Sequence, residues 1–191
     1  MKIVFCIPGR NFSGRFFKCW TNLIKYLESK EIEWELVNTY SPIVYQARLR
    51  CANEAMDKDY DYMMWIDSDI IFKPNDFEKL LSHEKDIVSG LYFQQNSNSV
   101  YDIPNEYACI GLDSKKLSRY DIFNGLVEVK ANGMGWMLVK QGVFEKIDKP
   151  FDPEGLRGED ITFQMKALEQ GFRSYVDPFV VVGHEKSFIL N

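Results

Sequence analysis

The chain has 191 residues, of which 46% are hydrophobic and 15% aromatic, with only 7 prolines. This length and composition indicate one well-packed globular domain and argue against a disordered or fibrous chain. The formal net charge of -5 leaves no basic field that could hold nucleic acid through its phosphates, so we expect no nucleic-acid partner.

Cysteine usage and the chain's opening residues bear on the compartment. The four cysteines lack CxxC spacing and predict free core thiols in a reducing compartment: Cys6, Cys19, Cys51 and Cys109. The opening apolar run is too short for a signal peptide, and no stretch approaches the ~20 apolar residues of a membrane span. We therefore expect a soluble, cytoplasmic protein with no transmembrane segment.

Strands and helices alternate along the first half of the chain. An apolar run predicts a strand over residues 2–7, and apolar residues at helical spacing predict a helix over 15–29. The same alternation continues with strands at 33–39, 62–66 and 86–93 and helices at 45–58 and 74–81. It predicts an α/β fold in which a mostly parallel central sheet is flanked by helices and binds ligands at its strand carboxyl ends.

The second half is less regular. Residues 94–121 are polar with little periodicity, which predicts a long loop or a pair of irregular strands that could act as an acceptor lid. Strands follow at 127–130, 136–139, 174–176 and 179–182, with a short helix at 141–147 and a longer one that starts near Glu159 and is capped by Gly171. With no internal repeat or linker, residues 1–191 are expected to form a single domain.

The acidic triplet Asp67-Ser68-Asp69 directly follows the continuous apolar run 62–66, which is typical of a buried central strand. Carboxylates at the end of such a strand suit a hard cation such as Mn²⁺ or Mg²⁺, and a nucleotide diphosphate can complete the metal's shell. The same triplet in isolation would also suit a solvated turn. Its position favours a ligand site.

Other residues allow both a functional and a structural interpretation. Glu159 and Asp160 open a helix, where acidic residues are favoured by the helix dipole, but Asp160 could also serve as a general base. His184 follows a core strand and suits either a structural role or a third metal ligand. The glycines of 132–136 could bring backbone N–H groups to a donor sugar on which Trp136 stacks, or could simply make a tight connection. Arginines near strand ends suit phosphate or base recognition but also a solvated surface: Arg10, Arg15 and Arg48.

Four segments, in the order in which they follow one another along the chain, resemble the GT-A fold of nucleotide-sugar glycosyltransferases: residues 7–9, 46–48 with Asn53, 66–70, and 158–160 with His184. The resemblance implies that Asp69 binds the metal and that Asp67 lies near the metal or the ribose. The pair Glu159-Asp160 resembles the acidic signature of the inverting family that includes chitin and cellulose synthases, which implies Asp160 as base. His184 is similar to the third metal ligand of several members.

This resemblance implies a nucleotide-binding half at about 1–93 and an acceptor and catalytic half at about 94–191. The chain lacks the Q-x-x-R-W motif of processive synthases, which argues against polymer synthesis. A terminal histidine ligand also occurs in retaining enzymes, so inversion is favoured while retention stays open. The expected donor-binding residues are Pro8, Gly9, Arg10, Arg48, Asp67, Ser68, Asp69, Gly133, Gly135 and Trp136.

The resulting hypothesis is a metal-dependent glycosyltransferase that uses Mn²⁺ or Mg²⁺ to move a sugar from a UDP- or GDP-sugar to a hydroxyl of a glycan, lipid or protein. Asp67, Asp69 and His184 are the expected metal ligands, and Asp160 with Glu159 the expected catalytic pair. A non-catalytic nucleotide-sugar-binding module is the alternative from another class. A nucleotidyltransferase is a further alternative, although the chain lacks a Gly-rich phosphate loop with a lysine after the first strand.

Overall fold

The structure is a computed structural model that describes residues 1–94, 106–155 and 157–186. Four α-helices lie in these residues: α1 (Gly14–Ser29), α2 (Val44–Met56), α3 (Pro74–Ser82) and α4 (Glu159–Glu169). The strands are β1 (Lys2–Cys6), β2 (Glu33–Val37), β3 (Tyr62–Ile66), β4 (Ile70–Ile71), β5 (Ile87–Leu91), β6 (Glu106–Gly111), β7 (Lys116–Ser118), β8 (Val127–Asn132), β9 (Trp136–Lys140), β10 (Ser174–Val181) and β11 (Gly183–His184).

One nine-stranded sheet organises the chain, with the order β2-β1-β3-β9-β5-β10-β8-β6-β7. β1 is parallel to β2 and to β3, and β5 is parallel to β10. β9 runs antiparallel between β3 and β5, and β8 and β7 also run against their neighbours. Most strands therefore share one direction, and the predicted α/β fold with a helix-flanked central sheet is confirmed, with an antiparallel insertion that the alternation did not reveal.

Alternate residues of the central strands supply two cores on opposite faces of the sheet. On one face, Phe5 and Met64 pack with apolar residues of α1 and α3. On the other, Cys6 and Trp65 pack with α2 and α4. Because β1 and β3 are covered on both faces, their side chains are almost completely buried, as the continuous apolar runs predicted.

Two local predictions are corrected. Residues 141–147 form only a 3-10 turn at Phe144–Lys146, because Gly142 takes a φ of 93° and interrupts helical geometry. The two strands expected between 174 and 182 are one strand, β10. Pro178 is tolerated there because pairing with β8 ends at Val176 and the register with β5 shifts between Asp177 and Val181.

The polar segment 94–121 contains the antiparallel strands β6 and β7 within its described part, which matches the strand-pair alternative. The remainder of the expected lid, residues 95–105, lies outside the described residues. All four cysteines are free thiols. No helix in the described ranges has the length and apolar character needed to cross a membrane.

Candidate functional site

A cavity of about 230 Å³ opens where β1 and β3 end. It is lined by Pro8, Gly9, Tyr40, Ser41, Val44, Ala47, Arg48, Asp67, Ser68 and Asp69. Six of these had been predicted as donor or metal ligands: Pro8, Gly9, Arg48, Asp67, Ser68 and Asp69. The sheet brings them together because parallel strands β1 and β3 deliver their following loops to the same edge. We refer to this cavity as the donor pocket after the expected donor-binding residues in its lining.

The loop after β1 touches the acidic turn directly. Gly9 has a φ of 151°, and a Cβ at this position would lie 2.8 Å from both the Cβ and the Oγ of Ser68. Only glycine permits this approach. The side-chain amide of Asn38 holds the loop in place, donating hydrogen bonds to the carbonyls of Ile7 (2.6 Å) and Gly9 (2.9 Å).

Arg48 of α2 is buried and connects the two acidic segments. Its Nη2 donates to both carboxylate oxygens of Asp67, at 3.0 and 3.1 Å. Its Nε lies 3.5 Å from Oε1 of Glu159 at the start of α4. Burial opposes the positive charge, but the nearby carboxylates outweigh it and raise the pKa of Arg48 above the ordinary arginine value. The guanidinium therefore joins the donor pocket to the α4 terminus.

Asp69 and His184 converge through a second, two-stranded sheet. β4 starts directly after the acidic turn and pairs antiparallel with β11, which places His184 opposite Ile70. Nε2 of His184 lies 3.2 Å from Oδ2 of Asp69, and its Nδ1 lies 3.0 Å from the carbonyl oxygen of Phe93. Because a carbonyl only accepts, this second bond requires a proton on Nδ1 and leaves Nε2 as the ring nitrogen that faces Asp69.

Lys186 competes for the same carboxylate, since its Nζ donates to Oδ2 of Asp69 at 2.7 Å. Burial opposes ionisation of Asp69, but the hydrogen bonds from His184 and Lys186 outweigh it and lower the pKa of Asp69 to about 2. The carboxyl is therefore ionised under all ordinary conditions.

The donor set fits a divalent cation in part. The Asp69 oxygen and the His184 Nε2 are suitable neighbouring ligands for Mn²⁺ or Mg²⁺. Asp67, the third expected ligand, is instead bonded through both oxygens to Arg48. Among the described residues no group of three histidine, cysteine or acidic side chains could hold a metal. A cation here would need further oxygens from a ligand such as a diphosphate.

A second cavity, of about 290 Å³, contains Asp160 in its wall. Residues of β6, β7, β8 and the α4 terminus line the rest of it together with Gln94, and they include Ala108, Lys116 and Asn132. We call it the acceptor cavity because most of its lining belongs to the half of the chain in which the acceptor is expected. Burial raises the pKa of Asp160, an effect that the charge of Arg48 opposes, and its Oδ1 accepts a hydrogen bond of 2.8 Å from the Ile161 amide. Glu159 is engaged by Arg48.

The structure does not support a donor-contacting role for the 132–136 turn. Trp136 is 0% exposed and stacks on Phe72 in the core, so its ring cannot stack on a sugar. The amides of Gly133 and Gly135 donate to the carbonyl of Ala108 and the hydroxyl of Tyr92. These glycines instead make room for Tyr92, because a Cβ on either would collide with or crowd its phenol.

Two residues around the site carry no predicted role: Tyr40 and Tyr92. Arg10 is exposed at the rim, where its guanidinium lies 4.7 Å from the ring centroid of Tyr40 in the donor-pocket wall. Tyr40 follows the predicted second strand, so its position at a strand end was an available signal. Tyr92 is buried beside Asp67 and Arg48, and its pKa is raised by burial and then by the Asp67 charge. No sequence pattern marks it.

Solved structures with the same architecture were found at low sequence identity. A197 from STIV aligns over 100% of this chain and 97% of its own, with 21% identity and a TM-score of 0.60. GalNAc-T7 with UDP, GalNAc and Mn²⁺ gives a TM-score of 0.62 at 13% identity, covering 98% of this chain and 44% of that chain. S. aureus TarS 1-349 in complex with UDP-GlcNAc gives 0.54 at 12% identity, covering 98% and 60%.

These likenesses confirm that the chain has a GT-A-like fold. The chain spans less than half of GalNAc-T7 and three fifths of TarS 1-349. No protein-family profile and no curated sequence matches it.

Proposed function

We propose that this protein is a glycosyltransferase that moves a sugar from a nucleotide-sugar donor to a hydroxyl acceptor. The observation that supports it best is the arrangement around Arg48, which connects Asp67 in the donor pocket to Glu159, the neighbour of Asp160 in the acceptor cavity. A transferase needs two such adjoining cavities, one for each substrate, with a proton acceptor beside the acceptor site.

The nucleotide would lie in the donor pocket, within the half of the chain at about 1–93. Pro8, Gly9 and Ser68 offer close backbone approach, and the exposed ring of Tyr40 with Arg10 suits stacking on a base. UDP and UDP-GlcNAc are the nucleotides named for GalNAc-T7 and TarS, which favours UDP-sugars as the first donors to test, before GDP-sugars.

Asp69 and His184 would hold Mn²⁺ or Mg²⁺ together with the donor diphosphate. When bound, the cation supplies positive charge that neutralises the departing nucleotide diphosphate. Lys186 would have to release Oδ2 of Asp69 to a cation, and its ammonium would then be available to pair with a phosphate oxygen. Asp67 would act through Arg48 and the ribose side of the pocket rather than as a metal ligand.

Asp160 would take the proton from the acceptor hydroxyl as that oxygen attacks the anomeric carbon and the bond to the diphosphate breaks. Its partial burial raises its pKa and so makes it a stronger base than an exposed aspartate. Direct attack of this kind inverts the anomeric configuration. Glu159 would support the reaction by holding Arg48.

Isothermal titration of UDP, UDP-sugars and GDP-sugars, with and without Mn²⁺, tests donor binding. We expect Mn²⁺-dependent binding that Asp69→Asn weakens at least tenfold and that Asp160→Asn leaves unchanged. Absence of binding by every nucleotide sugar would refute the proposal.

Product analysis with a panel of hydroxyl acceptors separates the alternatives. Release of free UDP or GDP with formation of a glycoside supports transfer, and NMR of the new linkage identifies inversion or retention. Binding without turnover would identify a non-catalytic nucleotide-sugar-binding module. Release of pyrophosphate from a nucleoside triphosphate and a sugar phosphate would identify a nucleotidyltransferase.

A further inference from the structure

Positive charge is concentrated at the start of this acidic chain. Residues 1–27 contain five basic residues and no aspartate or glutamate: Lys2, Arg10, Arg15, Lys18 and Lys25. The formal net charge of the whole chain is -5 and that of residues 1–27 is +5, so residues 28–191 have a formal net charge of -10. Such an asymmetry indicates an electrostatic partner for the basic segment.

The first turn of α1 carries charges of the unfavourable sign. The helix starts after Ser13, whose Oγ accepts a hydrogen bond of 3.1 Å from the Phe16 amide, and no acidic residue lies in this turn. A helix N-terminus favours anions, yet Arg15 lies in this turn and Lys18 directly follows it. Arg15 has only a 3.9 Å contact with Glu185, and Lys18 forms no salt bridge with any residue that the structure describes. An outside anion would satisfy both.

Exposed aromatic rings accompany these charges. Phe17 is 68% exposed and Phe12 is 41% exposed. They border an apolar cavity of about 230 Å³ whose walls include Phe16, Trp20 and Leu36, the last on the edge strand β2. We call residues 10–18 together with Trp20 and Leu36 the α1 tip. Large aromatic side chains left in water next to an open apolar cavity mark an interaction surface.

We propose that the α1 tip docks on an anionic lipid bilayer. Phe12 and Phe17 would enter the boundary between headgroups and acyl chains, and Arg15 and Lys18 would pair with lipid phosphates. The charge distribution selects this partner, because a negative surface attracts the basic tip and repels the acidic remainder of the chain. A second copy of the chain would present the same positive charge, which disfavours self-association through this surface.

The α1 tip adjoins the donor pocket. A Cβ on Gly9 would lie 2.8 Å from Ser68 and 3.8 Å from the Phe12 ring, so the loop after β1 is the wall between them. Docking would therefore hold the pocket next to the bilayer surface. This contact needs no nucleotide, so its test does not depend on the proposed transferase activity.

Flotation with phosphatidylcholine vesicles, with and without phosphatidylglycerol, tests the proposal on the whole chain without donor. We expect flotation with phosphatidylglycerol vesicles only, and its loss at high salt. Lys18→Glu changes the charge of the α1 tip by two units and should lower the partition coefficient by at least about fivefold, the effect of a single charge at an anionic surface. Phe17→Ser should also lower it. Both side chains are exposed, so the fold should tolerate both changes.

Two matched controls lie far from the α1 tip. Lys140→Glu is the control for Lys18→Glu: it changes an exposed lysine that pairs with Tyr62, at the end of β3 opposite the acidic turn. Ile122→Ser is the control for Phe17→Ser: it removes an apolar side chain that is 91% exposed and follows the far edge strand β7. Both should float like the wild type. Failure of the wild type to float, or equal losses in tip and control variants, would overturn the proposal. A dimer in sedimentation that Phe17→Ser abolishes, without flotation, would assign the surface to a second copy instead.

Discussion

Arg48→Met tests the connection between the two acidic segments. Methionine keeps the length and the apolar stem of the side chain but removes its guanidinium. Arg48 as a whole is only 4% exposed. Asp67 loses hydrogen bonds at 3.0 and 3.1 Å, and Glu159 loses a cation at 3.5 Å. Two carboxylates and the nearby Asp160 are then left together without a positive charge.

The size of the effect follows from these contacts. A hydrogen bond to a charged group contributes about 1.5–3 kcal/mol, and removal of one partner from a buried ion pair costs about 3–5 kcal/mol. The side chains of Asp67 and Glu159 are 31% and 20% exposed, so water offsets part of the loss. We therefore expect the free energy of unfolding to fall by about 3 kcal/mol. For a chain of this size that lowers Tm by roughly 6–12 °C.

Urea unfolding followed by tryptophan fluorescence measures this loss. Arg50→Met is the control, because Arg50 is exposed on the same helix and should change stability by less than about 0.5 kcal/mol. In a double-mutant cycle with Asp67→Asn, we expect a coupling of at least about 1 kcal/mol. Additive effects, or a loss for Arg48→Met no larger than for Arg50→Met, would refute the assigned ion pair.

Three further predictions concern residues around the two cavities. Gly133→Ala should lose about 1–3 kcal/mol of unfolding free energy because its Cβ would come within 2.8 Å of the Tyr92 Cζ, whereas Gly14→Ala, with no atom within 4 Å, should lose none. Trp136→Phe should lower thermal stability yet leave nucleotide affinity unchanged, since the indole is buried; a selective loss of affinity would contradict this. Burial raises the pKa of Asp160, so its ionised form destabilises the fold. Asp160→Asn should therefore be more stable than the wild type at neutral pH. When unfolding is measured at successively lower pH, this difference in unfolding free energy should disappear as the pH approaches the ordinary aspartate pKa of 3.8.

The sequence predicted the position of a site residue best where a local hydrophobic pattern and the order of strands and helices both point to the same strand end. The continuous apolar run of β3 and the alternation with helices sufficed to place Asp67-Ser68-Asp69 at a strand end beside the loop containing Gly9. Parallel strands deliver such loops to one edge whatever their detailed packing. The grouping of Asp69 with His184 was expected as one of two interpretations of a histidine after a core strand and through the family resemblance, since nothing in the local sequence indicates the pairing of β4 with β11.

Other features depend on contacts that no local pattern encodes. Trp136 belongs to β9, which enters the sheet antiparallel between β3 and β5, where the cores on the two sides of the sheet bury its side chains. The two glycines before it have the sequence pattern of a ligand-binding loop, but in the structure they leave room for the Tyr92 phenol. Likewise, the bonding of Asp67 to Arg48 depends on the direction in which α2 presents a side chain 19 residues earlier in the chain.

The pairing of β4 with β11 has a consequence for local stability. It joins only two residue pairs and stands outside the nine-stranded sheet. Short ladders of this kind open at a small fraction of the global unfolding free energy, on the hydrogen-exchange timescale. The Asp69 and His184 side chains can thus separate while β1 and β3 stay intact, so any ligand site built on both of them would assemble and come apart beside a rigid donor pocket.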